Sequence, residues 1–487
     1  MNSIRSIVKN SGASLIAQVS NPLSSFLLVF FIARFEGVNG VGHFSSALSL
    51  LYIFQALSSF GFSYLITREV SRDKSTAGKY LINASSLGLV LSIIMALIMC
   101  LVANVITKSV NVVYASYILS ISLIPYTLET VCVSILKAHE KFEYITISQM
   151  SGNIFKIIAG LYILFKGYGI NNLMFVILVS HLIIFVTSLL FTFKCTPKQV
   201  SNLRIDIKFC RWIFLTAPVF ALIFILNTVR WNIDTLILTN MIGEREVGFY
   251  NAAYKLMNIF KLGLSCYIAA IQPVMFRLFR TSKEKFVLVC EESMRYLLIM
   301  LIPIAFGATL LSDKIIVLVF GLEFMPAAYA LSIIIWILIF SADNLIFANA
   351  LVASDYQNIN LIGNAINMIA NLCLNILLIP KLGFIGASAA SLVSSIFMFI
   401  YQYYYISKYL FKVNYLDQAK KPIIASTFMG VGIIILKNLN IFVLIAIGII
   451  IYFIGLLVLN TFTQKDVSLL KRLWKGEKDL GLLKQDM

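Results

Sequence analysis

Residues 41–54 read VGHFSSALSLLYIF, and residues 247–260 read VGFYNAAYKLMNIF. At an offset of 206 positions, Val, Gly, an aromatic, Ala, Leu, Ile and Phe coincide in order. Further along at the same offset, Lys74 falls on Arg280 and Lys79 on Lys285. The match predicts that one structural unit occurs twice in the chain. The residues around it say what kind of unit.

The 487 residues are 60% hydrophobic and 13% charged, with a mean hydropathy of +0.91. Soluble domains carry about 25% charged residues, so this chain lacks the side chains to cover a water-facing surface. Apolar runs of about 20 residues match the length of a helix crossing a ~30 Å hydrocarbon core. No period-two alternation supports a β-barrel. Reading apolar runs between polar breaks gives fourteen spans, at about 11–33, 41–66, 81–106, 112–136, 145–165, 172–193, 212–241, 247–272, 292–312, 327–352, 359–380, 384–406, 421–437 and 441–462. The first is preceded by polar sequence without a short apolar leader, so it is expected to stay in the mature chain.

Loops at 67–80, 137–144, 194–211, 277–290 and 407–421, together with both ends, hold roughly 27 of the 39 Lys and Arg residues; the opposite loops hold roughly seven. The asymmetry predicts cytoplasmic termini. It also accounts for most of the +17 net charge, which therefore does not argue for nucleic acid as a partner. Seven scattered cysteines and three histidines show no ligand spacing, so neither a metal nor a cofactor is expected. The tail TQKDVSLLKRLWKGEKDLGLLKQDM mixes Leu and Trp with Lys and Arg; an interfacial helix and a solvated tail are both open readings.

Six spans bring the chain back to the side on which it began. The two repeats then share one orientation, related by a pseudo-two-fold axis along the membrane normal. The predicted architecture is all-α and bilobed: an N-lobe at 1–210 (spans 1–6), a C-lobe at 211–415 (spans 7–12), two further helices at 416–463 and a basic cytoplasmic tail at 464–487.

Four stretches carry a resemblance: NSGASLIAQVSNPLSSFLLVFFIARFEGVNGVGHFSSA from Asn10, LITREVSRD at 65–73, IDTLILTNMIGEREVGFYNAAYKL at 233–256 and KLGFIGASAASLVSS at 381–395. With them the chain resembles the multidrug/oligosaccharidyl-lipid/polysaccharide (MOP) exporter superfamily, and more closely its polysaccharide-transporter branch, the Wzx-type flippases. The resemblance implies a MATE-like bundle of about fourteen helices in the bacterial inner membrane. It implies alternating-access movement of an undecaprenyl-pyrophosphate-linked oligosaccharide from the inner to the outer leaflet, rather than enzymatic catalysis. The unit would serve O-antigen, capsule or another surface polysaccharide, with a polymerase and chain-length regulator as partners and H+ or Na+ as coupling ion. The alternative is a cation-coupled multidrug exporter of the MATE type. That reading expects a carboxylate in span 1, where this chain carries neutral polar residues (Ser14, Gln18, Ser20, Asn21, Ser24, Ser25).

Charges inside spans mark cavities or partners. Arg230 and Asp234 lie four apart on one face of span 7, close enough to pair. At ~1.5 Å per residue, Arg230 sits ~18 Å from the end of that span, and Lys255 and Lys261 sit ~12 and ~21 Å into span 8. Lys156 lies in span 5. Cations outnumber carboxylates, so Arg230, Lys255, Lys261 and Lys156 are expected to face an anionic headgroup. Asp234, Glu129 and Asp343 are either coupling groups or structural ones. His181 reads as a packing residue. Asn360, Asn364, Asn367, Asn371 and Asn375 form a stripe at helical spacing; it either meets sugar hydroxyls or bonds a neighbouring helix.

Overall fold

The computed structural model describes residues 2–196 and 204–462, with the side chains of 2–18, 219, 220 and 223 outside that description. The tail at 464–487 and the side chains of Ser14 and Gln18 lie outside the described residues. The described chain is helical, with no strand.

The first six predicted spans become α1 (Asn2–Phe35), α2 and α3 (Gly37–Ser59, Phe62–Arg72), α4 (Ala77–Ile106), α5 and α6 (Val110–Ile121, Leu123–Ala138), α7 (Phe142–Phe165) and α8 (Ile170–Cys195). The next six become α9 and α10 (Ile207–Thr216, Pro218–Met241), α11 (Glu244–Thr281), α12 (Lys283–Leu310), a short α13 (Ser312–Phe320), α14 and α15 (Ala327–Ile334, Ile337–Ala353) and α16 (Gln357–Tyr409). Helices α17 (Tyr415–Ile435) and α18 (Ile441–Val458) follow. Ten helical segments among the described residues are long and apolar enough to cross a membrane, and Val19–Phe35 is a shorter apolar one. Helices α10 and α17 are not among the ten. The outer surface suits lipid, with Leu101, Val105, Phe428 and Ile435 between 62% and 81% exposed.

Predicted spans 11 and 12 are joined in α16, which breaks its helical geometry only at Gly383 (φ 55°). The carboxylate of Glu246 occupies the space that a Cβ there would need, and it accepts a hydrogen bond from Phe384 N–H (3.0 Å). Glu246 thereby caps the second half of α16 as an anion at a helix start. The small-residue stretch after Lys381 is thus a built corner.

In the first lobe span 1 lies on span 5 (α1 on α7), and in the second span 7 lies on α16, which holds spans 11 and 12 (α10 on α16). The lobes meet where α2 crosses α11. A Cβ on Gly42 would land on the backbone carbonyl of Glu244, and a Cβ on Gly248 would land on the carbonyl of Val38. These pairs exchange under the 206-residue offset, since 42 maps to 248 and 38 to 244. The repeated VG is therefore a reciprocal contact about the pseudo-two-fold axis, where only glycine lets two backbones come so close. Leucine at Gly248 should destabilise the protein by ~1–3 kcal/mol, the usual cost of overpacking. Thermal unfolding in detergent checks this. Gly263→Leu on the same helix, where nothing lies within 4 Å, should leave the midpoint nearly unchanged.

The crossing lies within two turns of the ends of α2 and α11 on the side away from the basic loops. On that side Arg34, at the end of α1, donates to the α13 carbonyls of Leu318 (2.8 Å) and Val319 (2.9 Å). On the opposite, basic side the halves also touch: a Cβ on Gly61 would land on the carbonyl of Ala217, and Phe60 stacks on Phe214 with ring centres 5.1 Å apart.

Candidate functional site

A cavity of about 940 Å³ lies between the N-lobe helices and α10, and Arg68 and Lys137 line its basic-side end. A second of about 220 Å³ continues between α2, α10 and α11. Leu48, Tyr52, Trp231 and Asn232 line both.

Lys156 reaches the larger cavity from α7 and donates from Nζ to Asn21 Oδ1 (3.3 Å). Lys255 reaches the smaller from α11 and donates to Ser25 Oγ (3.0 Å). Asn21 and Ser25 stand one turn apart on α1. One polar face of α1 therefore holds two lysines, one from each lobe, and both through neutral oxygens. Among the described residues neither lysine has an ion pair. Lys261 also lines the smaller cavity, its Nζ 3.1 Å from the centre of the Trp231 indole.

Arg230 differs from expectation in two respects. It lines neither cavity; its guanidinium carbon lies 4.0 Å from the Trp231 ring centre. Nor is it paired with Asp234: the described residues hold no Arg230–Asp234 ion pair within 4.0 Å. Asp234, 3% exposed, instead accepts hydrogen bonds from Tyr250 Oη (2.8 Å), Asn375 Nδ2 (2.7 Å) and Ser391 Oγ. Neutral donors from α11 and both halves of α16 satisfy the carboxyl, and the neighbouring Asn251–Thr235 bond (3.2 Å) strengthens the α10–α11 contact. Asp234 thus pins three helix segments together. It also explains why the aspartate, the aromatic of VGFY and the serine-rich corner occur in one chain.

The asparagine stripe lies at a helix–helix contact and not on a cavity wall. Asn371 donates to Ser394 Oγ (3.4 Å), Asn375 to Asp234, and Gln402 to Asn360 Oδ1 (3.2 Å). Asn364 bonds back to the Asn360 carbonyl (2.8 Å), and Asn367 is buried. The two halves of α16 fold against one another, so the polar face of one meets the serines of the other. Asp343 is fully buried, away from both cavities, and its Oδ2 accepts from Tyr415 Oη (2.8 Å), which fixes the start of α17 against α15.

Glu129 is the one predicted carboxylate that lines a cavity. Its Oε2 lies 3.8 Å from His181 Nδ1, and Gln55 Nε2 lies 3.3 Å from His181 Nε2. Gln55, Tyr52 and Trp231 carried no charge in the sequence and so drew no attention there. The signal for Asn21 and Ser25 was the polar crowding of span 1.

Residues 7–279, more than half of the chain, match the family described as polysaccharide biosynthesis protein. The probable low-salt glycan biosynthesis flippase Agl15 of Haloferax volcanii is 26% identical over 47% of this chain and 49% of its own length, so that match spans only about half of the relative. The capsular polysaccharide biosynthesis protein CapF of Staphylococcus aureus is 23% identical over 83% of this chain and all of its own. Among solved structures, the lipid II flippase MurJ in an inward closed conformation superposes with a TM-score of 0.75, at 16% identity over 92% of this chain and 98% of that one. A multidrug resistance MATE family transporter of the MOP superfamily, facing inward, superposes at 0.64, with 15% identity over 81% and 98%. The fold is a MOP-type bilobed bundle, and the protein is a multi-pass membrane protein.

Proposed function

The chain belongs to the polysaccharide biosynthesis protein family, and on that premise we propose that it is a flippase for a lipid-linked oligosaccharide. Its substrate would be an undecaprenyl-pyrophosphate carrier bearing one repeat unit of a surface polysaccharide, moved away from the basic-loop, cytoplasmic leaflet of the inner membrane. One observation carries this reading: Lys156 and Lys255, from different lobes, converge on Asn21 and Ser25 without a carboxylate partner. Two cations held by neutral oxygens are ready for an anion of about two charges. A pyrophosphate headgroup has that charge, and it accepts charge-assisted hydrogen bonds from ammonium donors. Lys261, on the Trp231 ring, extends the positive wall into the smaller cavity.

The anion would enter from the basic side and draw the two lysines, hence the two lobes, together. The Gly42–Gly248 crossing is the natural pivot, because two backbones in contact leave little room to slide. Passage to the other side must break the Arg34 bonds to Leu318 and Val319. The lobes that move would be 1–210 and 211–415, with 416–463 riding on the second.

A cation-coupled drug exporter is the competing reading. It fits less well, since α1 presents Asn21 and Ser25 where a cation site needs a carboxylate. Deleting the gene should abolish surface polysaccharide and cause carrier-linked repeat units to build up in the membrane, with drug sensitivity unchanged. Intact polysaccharide together with drug hypersensitivity would transfer the assignment to the exporter.

A further inference from the structure

The N-lobe wall of the larger cavity carries a polar cluster that the anion site does not use. Glu129 on α6 is 9% exposed and is the only carboxylate among the described lining residues. Its Oε2 is buried without a hydrogen-bond partner, and so is Nδ1 of His181 on α8. The two atoms are 3.8 Å apart, well beyond the ~2.7–2.9 Å of a charge-assisted bond. With Gln55 donating its amide N–H to His181 Nε2 (3.3 Å), the imidazole proton resides on Nδ1. The wall therefore holds one unused donor and one unused acceptor side by side just beneath its surface, where a side-chain rotation of Glu129 would bring them to a ligand.

A hydroxyl group satisfies both at once, accepting from Nδ1–H and donating to Oε2. Leaving either atom unmatched costs free energy, so such a pair discriminates strongly for a ligand that supplies the hydroxyl. The neighbouring lining adds the Thr130 hydroxyl oxygen as a further acceptor and the rings of Tyr52 and Tyr126 as apolar faces, while Asn153 is taken up by Ser20 and Ser24 of α1. Tyr126 sets its ring edge-on to His181 at 5.6 Å, which fixes the imidazole plane. Hydroxyl-matched polar pairs beside aromatic faces are the chemistry that recognises a pyranose.

We propose that Gln55, Glu129 and His181 form a glycan subsite that reads a hydroxyl of the sugar nearest the diphosphate. The proposal rests on the flippase reading above and assigns a direction to the headgroup. The diphosphate stays with Lys156 and Lys255, because Glu129 repels it, and the sugar turns towards α6 and α8. The 940 Å³ cavity has room for both, since ligand pockets of ~300–1,000 Å³ enclose drug-sized molecules.

The test measures binding of two probes to the purified full-length protein: undecaprenyl diphosphate, and the same carrier bearing the host's repeat unit. Wild type should prefer the sugar-bearing probe by ~10-fold or more, the value of a hydrogen bond to a charged group. Glu129→Gln should lose most of that preference, with bare undecaprenyl diphosphate bound no less tightly than by wild type because the carboxylate's repulsion is gone. His181→Leu, which keeps a side chain against Tyr126, should do the same. Glu129→Gln keeps the side chain's volume and breaks no bond of Oε2, and His181→Leu gives up only the Gln55 bond, so the fold should persist. Lys156→Ala should weaken both probes, and the bare diphosphate at least as much, because its terminal phosphate carries an additional negative charge. An unchanged preference in both Glu129→Gln and His181→Leu would overturn the subsite. An unchanged preference with transport that loses its pH dependence would assign the pair to proton movement instead, and also overturn it. Failure of wild type to bind either probe would overturn the flippase reading itself.

Discussion

Replacing Lys255 with alanine is expected to weaken binding of a polyprenyl diphosphate by ~10- to 100-fold, the loss of one charge-assisted hydrogen bond to a doubly charged ligand. Lys156→Ala should cost about the same, and the double variant should support no detectable surface polysaccharide. The argument is geometric. Both ammonium groups reach the shared face of α1, 3.3 Å from Asn21 Oδ1 and 3.0 Å from Ser25 Oγ, and neither is neutralised. Removing one leaves the protein's own hydrogen bonding almost intact, because each lysine's partner is a single neutral oxygen that water can serve. Methionine, which keeps the volume but not the charge, should fail like alanine, and arginine should retain part of the activity. Comparable membrane levels of all variants, read by immunoblot, separate function from folding.

The second large effect belongs to Asp234, and it is an effect on stability. Asp234→Leu deprives Tyr250, Asn375 and Ser391 of their common acceptor. Unmet buried donors cost ~1–3 kcal/mol each, so the bundle should lose roughly 2–4 kcal/mol after local relaxation. Asp234→Asn retains the shape and one acceptor oxygen, and should lose less than half as much. Arg230→Ala in the Asp234→Leu background should restore nothing, because the two side chains are not an ion pair here. Thermal unfolding in detergent decides between this network and a charge pair, which would instead show rescue.

Helix positions were legible because lipid imposes a length and a composition on every crossing segment. The repeat was legible as seven coincidences between Val41 and Phe54, yet their meaning was not. Only the fold shows Gly42 against Glu244 and Gly248 against Val38. Lys156, Lys255 and Lys261 could be named because a buried cation is conspicuous in any span. Their grouping depended on the neutral face of α1, 135 and 230 positions away from Lys156 and Lys255. Arg230 and Asp234 misled because four residues on a helix permit contact without requiring it; rotamers turned one towards Trp231 and the other towards Tyr250. The asparagine stripe had a correct period and an undetermined neighbour, since periodicity gives a face and never says what the face meets. Glu129 and His181, 52 positions apart, become a pair only through the packing of α6 on α8.

The most direct test is reconstitution. Purified protein in liposomes carrying a fluorescent, undecaprenyl-diphosphate-linked repeat unit should expose the label on both leaflets to a membrane-impermeant quencher or lectin within the assay. The Lys156→Ala/Lys255→Ala protein, inserted to the same density, should leave it on one. Equal transfer by the double variant and the wild type would contradict the claim that these two lysines carry the headgroup across.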